Sequence, residues 1–143
     1  LMASPLITGN LLDQMSNQTL SILTHPGVLK INQDALGMQG IRIQHFGQQI
    51  NSSDIYGDLL IRWEQEVWVK PLLLYPGQHQ PYGFALALLN YASTSIKVEA
   101  SMAAVAKAYP TYYDSTAKMD TLELWSGKDA GDVSGIDAVI DWT

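Results

Sequence analysis

The spacing of apolar residues changes once along the chain, near Gly37, and this change limits the folds that the chain can adopt. Before it, Leu12, Leu20 and Leu23 recur at helical intervals. After it, apolar and polar residues alternate, which places successive side chains on opposite faces of a strand. The sequence therefore predicts a mainly β chain, with an antiparallel β-sandwich domain over residues 37–143 and a different unit over residues 1–36.

The first 36 residues have the pattern of one βα unit. Residues 1–7 are predicted to form a strand buried on both faces. A helix is expected to follow, with Asn10 as its N-cap and with His25, Pro26 and Gly27 as its stop. Since such a strand is buried by its neighbours, we expect further strands upstream of Leu1.

Six segments of the second region are predicted to be strands or to begin one. Pro71 is expected to end the second of them, and the last is expected to be cut short at the end of the chain. The alanine-rich residues 102–108 fit either a short helix or a strand. The predicted strands cover residues 41–46, 66–70, 83–90, 96–100, 121–125 and 138–143.

Composition excludes several classes of function. The 143 residues are 47% hydrophobic and 15% charged, against a usual charged fraction of about 25%, so a sizeable core is expected. The net charge of −6 and the lack of a basic run exclude nucleic acid and an anionic membrane surface as partners. No apolar helix of membrane-spanning length and no signal peptide are visible. The chain has no cysteine, and no cofactor is predicted.

No catalytic or metal-binding residue is predicted. The histidines His25, His45 and His79 lack partners at metal-ligand spacing, and His25 is interpreted as contacting the last carbonyls of a helix. A glycine-rich segment with three carboxylates is reminiscent of a calcium loop, but its spacing differs from that of such loops. A solvated turn is the favoured interpretation. The three carboxylates are Asp129, Asp132 and Asp137.

Aromatic residues and two glycosylation sequons are the remaining candidates. The four tryptophans could form a sugar-stacking platform, but three lie in predicted strands, which favours core packing. The sequons begin at Asn17 and Asn51, and Asn51 is the stronger candidate because Asn17 lies in the predicted helix. The tryptophans are Trp63, Trp68, Trp125 and Trp142.

Three motifs in this order resemble those of glycoside hydrolase family 27, the α-galactosidases and α-N-acetylgalactosaminidases. Residues 31–40 resemble the family's I-N-Q-D-x-L-G-x-Q-G junction, and residues 2–6 are similar to its M-A-[AS]-P-L segment. Residues 66–72 resemble its E-V-W-x-[KR]-P-L strand, and residues 123–128 resemble its D-L-W-S-G-K turn more loosely. The loop at residues 9–13 reads G-N-L-L-D and departs from the family's [SG]-N-D-L-R.

The resemblance implies that residues 1–36 are strand 8 and helix 8 of a (β/α)8 barrel and that residues 37–143 are a truncated C-terminal sandwich. Family members are retaining hydrolases of terminal α-linked galactose or N-acetylgalactosamine, whose two carboxylates stand about 5–5.5 Å apart. Both come from earlier barrel strands, so this chain is expected to lack the catalytic aspartates, to be inactive alone and to have a structural role. Carbohydrate substrate would bind through the missing barrel.

Two further expectations follow from the same resemblance and from the cut ends of the chain. The resemblance to this family implies that the protein is secreted or lysosomal. An unpaired sheet edge predicts self-association, so a homo-oligomer is expected. The alternative to a hydrolase segment is a non-catalytic β-sandwich that binds carbohydrate or protein through exposed aromatic residues.

Overall fold

The computed structural model describes residues 3–53, 59–73, 82–135 and 139–142. Strands predominate, so the predicted mainly β class is confirmed. A short 3-10 turn at Leu12–Gln14 precedes the helices. The helices are α1 (Asn17–Leu23), α2 (Pro26–Asn32) and α3 (Met102–Ala108). The strands are β1 (Ile41–Ser53), β2 (Leu59–Leu73), β3 (Tyr82–Asn90), β4 (Val98–Ser101), β5 (Lys118–Glu123), β6 (Lys128–Ser134) and β7 (Val139–Trp142).

All strand pairs in these ranges are antiparallel. The largest sheet has the order β1-β2-β3, while β4 pairs with β7 and β5 pairs with β6. The strand predicted to begin near residue 138 is β7, and its partner β4 is the one predicted over residues 96–100. The antiparallel arrangement expected for the second region is therefore confirmed.

The core lies on one face of the three-stranded sheet. Val67 and Val69 of β2 are fully buried there. Val69 packs with Val105 and its neighbours on α3, and Val67 packs with Val98 on β4. Because Met102, Val105 and Tyr109 recur at helical spacing, residues 102–108 bury one stripe by forming a helix.

The start of the chain differs from its prediction. Residues 3–10 form no strand, because a strand of this type needs hydrogen-bonded neighbours on both sides. The first helix begins after Ser16, whose hydroxyl accepts the Thr19 N–H at 3.1 Å, and not after Asn10. His25 does not contact the last carbonyls of α1 through its ring. Its Nδ1 accepts the Val28 N–H at 3.4 Å as the N-cap of α2.

Pro71 does not end β2, which continues to Leu73. The pairing of β1 with β2 ends at Ile41 and Val69, so no β1 carbonyl is left opposite Pro71 to require an N–H. On its other side Pro71 pairs with Phe84 of β3. Proline is tolerated at such a locally unpaired edge.

The segment predicted as a solvated turn forms β6 instead. Asp129 and Asp132 lie in this strand, opposite Leu122 and Asp120 of β5. The strand was missed because it is exposed along nearly its whole length and therefore shows no apolar alternation. Asp137 lies outside the described residues. No helix in the described part of the chain has the length and apolar character needed to cross a membrane.

A bulge bends the β1–β2 ribbon at Gly47. The register shifts between Phe46 and Gln49, and the Gln48 N–H donates to Glu64 Oε2 at 3.1 Å. Gly47 has a φ of +76°, and a Cβ there would lie 2.9 Å from the Cβ of Glu64. The bulge therefore requires glycine both for its backbone conformation and for the approach of Glu64.

We expect Gly47→Ala to lower the free energy of unfolding by about 2–3 kcal/mol, the sum of a left-handed backbone cost and a steric overlap. Gly127→Ala is the matched control, since Gly127 has a φ of +67° but nothing within 4 Å of an added Cβ. Gly127→Ala should lower the free energy of unfolding by about 1–2 kcal/mol. Urea unfolding measures the free energy of unfolding of both variants. Equal losses would show that overlap with Glu64 does not contribute to the cost of Gly47→Ala.

Candidate functional site

The residues following α2 meet the far end of β2 at a polar junction, here defined as residues 31–36 together with residues 66–73. Lys70 lies at its centre and is 0% exposed. Its Nζ donates to the carbonyl of Ile31 at 2.5 Å and to that of Asn32 at 3.5 Å. These two carbonyls belong to the last turn of α2.

Physical chemistry explains why a lysine occupies this position. The last carbonyls of a helix have no partner within the helix and carry the negative end of its dipole. A buried ammonium supplies hydrogen-bond donors and a positive charge to them. The same contact satisfies the amine, which forms no ion pair among the described residues. Lys70 thereby fastens the C-terminus of α2 to the sheet.

Asp34 makes the reciprocal contact from the helix side to the strand. Its Oδ1 and Oδ2 accept the Leu73 N–H at 3.2 and 3.0 Å, and Oδ1 also accepts the Leu36 N–H at 3.1 Å. Leu73 lies beyond the last residue of β2 that pairs with β1. The carboxylate therefore replaces a missing strand neighbour. Lys70 and Asp34, which are 36 positions apart in the sequence, therefore join the helix to the sheet from opposite sides.

We expect Asp34→Ala to lower the free energy of unfolding by about 1–3 kcal/mol, because the Leu73 and Leu36 N–H groups lose a charged acceptor. Asp13→Ala, at an exposed residue of the 3-10 turn, should change it by less than about 0.5 kcal/mol. Urea unfolding of both variants gives the comparison. If the two variants are equally stable, Asp34 does not fasten β2.

Glu66 forms a second buried polar group on β2, and it is 4% exposed. Its Oε1 accepts Arg42 Nη1 at 2.8 Å and the Trp63 N–H at 3.2 Å, and its Oε2 accepts Trp68 Nε1 at 2.8 Å. Burial alone raises the pKa of this carboxyl. The three hydrogen bonds and the charge of the guanidinium outweigh burial, so the pKa of Glu66 lies below its ordinary value of 4.5.

The other end of α2 contacts the turn between β5 and β6. The His25 and Trp125 rings meet edge-on with centroids 5.0 Å apart. A Cβ on Gly27 would lie 2.6 Å from Leu124 Cδ1, so the turn approaches the helix closely. This role of His25 was not predicted from the sequence, although His-Pro at the start of a helix is a recognisable signal because proline favours the first helical position.

The other candidate residues lie at separate places on the strands, in a turn and on α1. His45 stacks on Trp63 with ring centroids 4.0 Å apart. Trp63 and Trp68 are half-buried, whereas Trp125 is exposed, so core packing is the wrong prediction for Trp125. His79 and the side chain of Trp142 lie outside what the structure describes. Asn17 and Asn51 are both exposed, at the start of α1 and near the end of β1.

The chemistry of the junction is structural. The carboxylates of Asp34 and Glu66 accept hydrogen bonds from neighbouring N–H groups, and the ammonium of Lys70 donates to carbonyls. Each charged group is thus engaged in holding one element against another. The arrangement fixes α2 on the sheet.

No family model matches the sequence. Individual relatives do. An α-galactosidase of Coffea arabica is 30% identical over 139 residues, which cover 96% of this chain and 29% of that protein. An α-galactosidase of Lachancea cidri is 34% identical over 98 residues, 68% of this chain and 18% of that protein. α-Galactosidase A of Cellvibrio japonicus is 41% identical over 71 residues, 50% of this chain and 14% of that protein.

The crystal structure of α-galactosidase I from Mortierella vinacea has the same fold in the matching region. Its TM-score is 0.61 at 22% identity, and the match covers 98% of this chain and 29% of that chain. The chain thus spans between 14% and 29% of the length of these relatives. The sequence matches support the assignment of the chain as a C-terminal part of the α-galactosidase family, glycoside hydrolase family 27, and the structural match shows that the fold is shared.

Proposed function

We propose that this chain is the structural β domain, with the adjoining barrel segment, of a retaining hydrolase of terminal α-linked galactose or N-acetylgalactosamine. The observation that carries this proposal is the polar junction, in which Lys70 and Asp34 hold α2 on β2. The domain boundary then lies between residues 36 and 37. Residues 1–36 belong to the barrel as strand 8 and helix 8.

Exposed apolar side chains in the first 23 residues support the barrel assignment. Ile7 is 91% exposed, and it lies in a segment predicted to be a buried strand. A group of large apolar side chains exposed in one short segment is typical of an interface. Neighbouring barrel strands and helices would cover it. The other large apolar residues exposed there are Leu6, Leu11, Leu12, Leu20, Ile22 and Leu23.

In this proposal the chain holds the last barrel segment in place and supplies no catalytic residue. The resemblance to glycoside hydrolase family 27 implies that the two carboxylates of the retaining mechanism come from earlier barrel strands and that the carbohydrate binds at that barrel. Anchoring α2 at both ends supports the last barrel segment from the sandwich side. The proposed location is secreted or lysosomal. In such a compartment Asn51, and secondarily Asn17, are the proposed glycosylation sites.

A pair of measurements tests this function. The purified 143-residue chain should release no nitrophenol from p-nitrophenyl α-galactoside. Turnover by the chain alone would contradict the structural role. An antibody against the chain should then isolate the natural protein, whose denatured mass should be about three times that of the chain, as a barrel of about 250 residues requires.

That isolated protein should hydrolyse p-nitrophenyl α-galactoside or p-nitrophenyl N-acetyl-α-galactosaminide. A natural mass equal to the 15.7 kDa of the chain, or a larger protein inactive on both substrates, would overturn the proposal. The first result would instead favour the non-catalytic binding module.

A further inference from the structure

The far end of the β1–β2 hairpin is a two-stranded ribbon, here called the outer ribbon and defined as residues 49–53 and 59–63. Within the described ranges, β3 pairs with β2 from Gln65 to Leu73, whereas β1 follows β2 as far as Leu59. The outer ribbon therefore has no third strand there. Two strands without a third neighbour are marginally stable in water. The stability of the outer ribbon thus depends on what packs on its surface.

One face of the outer ribbon carries a glycosylation sequon beside two apolar side chains. Asn51 begins the sequon at residues 51–53 and pairs directly with Ile61. Gln49 pairs with Trp63, so Trp63 is the diagonal neighbour of Asn51 on the same face. Direct cross-strand neighbours have Cβ atoms about 4.5–5.5 Å apart, and diagonal neighbours are about 7–8 Å apart. A sugar ring attached to Asn51 can therefore reach both apolar side chains.

These side chains offer surface that is ordered before any sugar is attached. Ile61 is 54% exposed, and Asn51 opposite it is also exposed. Trp63 is half-buried, and the His45 ring stacks on its indole with ring centroids 4.0 Å apart. Because the indole is already restrained, little entropy is lost when another group packs against it. Removing the exposed apolar area from water would stabilise the outer ribbon.

We propose that Asn51 carries an N-linked glycan whose first N-acetylglucosamine packs on Ile61 and Trp63 and thereby stabilises the outer ribbon. The C–H groups on a pyranose face and the methyl of the acetamide group are apolar, so they pack on an aliphatic side chain and on an aromatic ring. The inference rests on the secretion proposed above, because such glycans belong to secreted proteins.

The attachment is a group transfer from a lipid-linked oligosaccharide diphosphate. Asn51 Nδ2 forms a bond to C1 of the first sugar, and the bond between C1 and the diphosphate oxygen breaks. The lipid diphosphate leaves with the electron pair of that bond, and the amide nitrogen loses one proton. The amide of Asn51 therefore becomes a neutral linkage that places the sugar over the cross-strand neighbour Ile61.

Secretion of the 143-residue chain from yeast behind a cleavable signal peptide tests the proposal. Asn17→Gln removes the other sequon, and peptide mass spectrometry should find N-acetylglucosamine on Asn51. Endoglycosidase H trims the glycan to this one sugar, and the same sequence made in bacteria is the version without sugar. The trimmed chain should have a Tm about 2–5 °C above that of the bacterial chain. The indole N–H resonance of Trp63, identified by its loss in Trp63→Phe, should differ between the two.

Ile61→Ser removes the direct apolar neighbour and should reduce the gain in Tm from the sugar to less than about half. Ile41→Ser is the matched control, because Ile41 is 44% exposed but lies at the other end of β1, opposite Val69. It should leave the gain unchanged, and circular dichroism should show that both variants are folded.

Three results would overturn the proposal: no sugar on Asn51, no gain in Tm from the single sugar, or an equal gain in folded Ile61→Ser and Ile41→Ser. None of them bears on the proposed hydrolase, which fails instead on the mass and activity of the natural protein.

Discussion

Lys70→Ala should lower the free energy of unfolding by about 3–5 kcal/mol, the largest loss that we expect from one substitution in this chain. The variant removes a fully buried side-chain stem and the ammonium that donates to the carbonyls of Ile31 and Asn32. Both effects act at one place, because the ammonium lies at the end of α2. Urea unfolding followed by circular dichroism measures the loss.

Two further variants separate the contributions at this position. Lys70→Met keeps most of the stem and removes the ammonium, so its loss should be smaller, about 1–3 kcal/mol. Lys30→Ala removes an exposed lysine from the last turn of the same helix and should cost less than about 0.5 kcal/mol. If Lys70→Met is as stable as the unchanged chain, the ammonium does not stabilise the junction.

Glu66→Gln should lower the free energy of unfolding at neutral pH by about 2–4 kcal/mol. The variant keeps the shape of the side chain, but Arg42 loses its buried counter-ion and Trp68 Nε1 loses a charged acceptor. Glu99→Gln is the control, since Glu99 forms an exposed ion pair with Lys97. Exposed pairs contribute about 0–1 kcal/mol, so this variant should remain close to the unchanged chain.

The contribution of Glu66 should also depend on pH. Because the folded-state pKa of Glu66 is below its ordinary value of 4.5, its stabilisation is present above about pH 4.5 and is lost as the pH falls through the lowered folded pKa. Exposed carboxyls with lowered pKa values, such as that of Asp114, add to the total acid dependence. The readout is therefore the difference between the unchanged chain and Glu66→Gln.

That difference in the free energy of unfolding should be largest near neutral pH and should shrink below pH 4.5. Urea unfolding at a series of pH values measures it. A difference that stays constant from neutral to acid pH would show that ionisation of Glu66 is not the source of its stabilisation.

The alternating pattern predicted most of the sheet because those strands bury one face. β3 and β4 follow their predictions closely, since each presents apolar residues to the core. β6 buries neither face, so its sequence shows no alternation of apolar and polar residues. Pro71 was a misleading stop, because its effect depends on whether a partner strand lies opposite.

The candidate site was harder to predict, because its contacts join distant positions. Nothing in the local pattern shows that Lys70 reaches the carbonyl of Ile31 or that Asp34 reaches the Leu73 N–H. The family motifs located both segments but not the bonds between them. The exposure of Trp125 could not be predicted either, since an aromatic residue at a strand end is compatible with both core and surface.

Native-state hydrogen exchange of the unchanged chain tests most directly whether the polar junction anchors α2. The helices α1 and α2 have seven residues each, and only α2 is fastened through Lys70 among the described contacts. Amides of residues 29–33 should therefore be protected nearly as well as those of β2, while amides of residues 20–24 should exchange close to the unprotected rate. Exchange of the α2 amides as fast as that of the α1 amides would contradict the anchoring of α2 by the sheet.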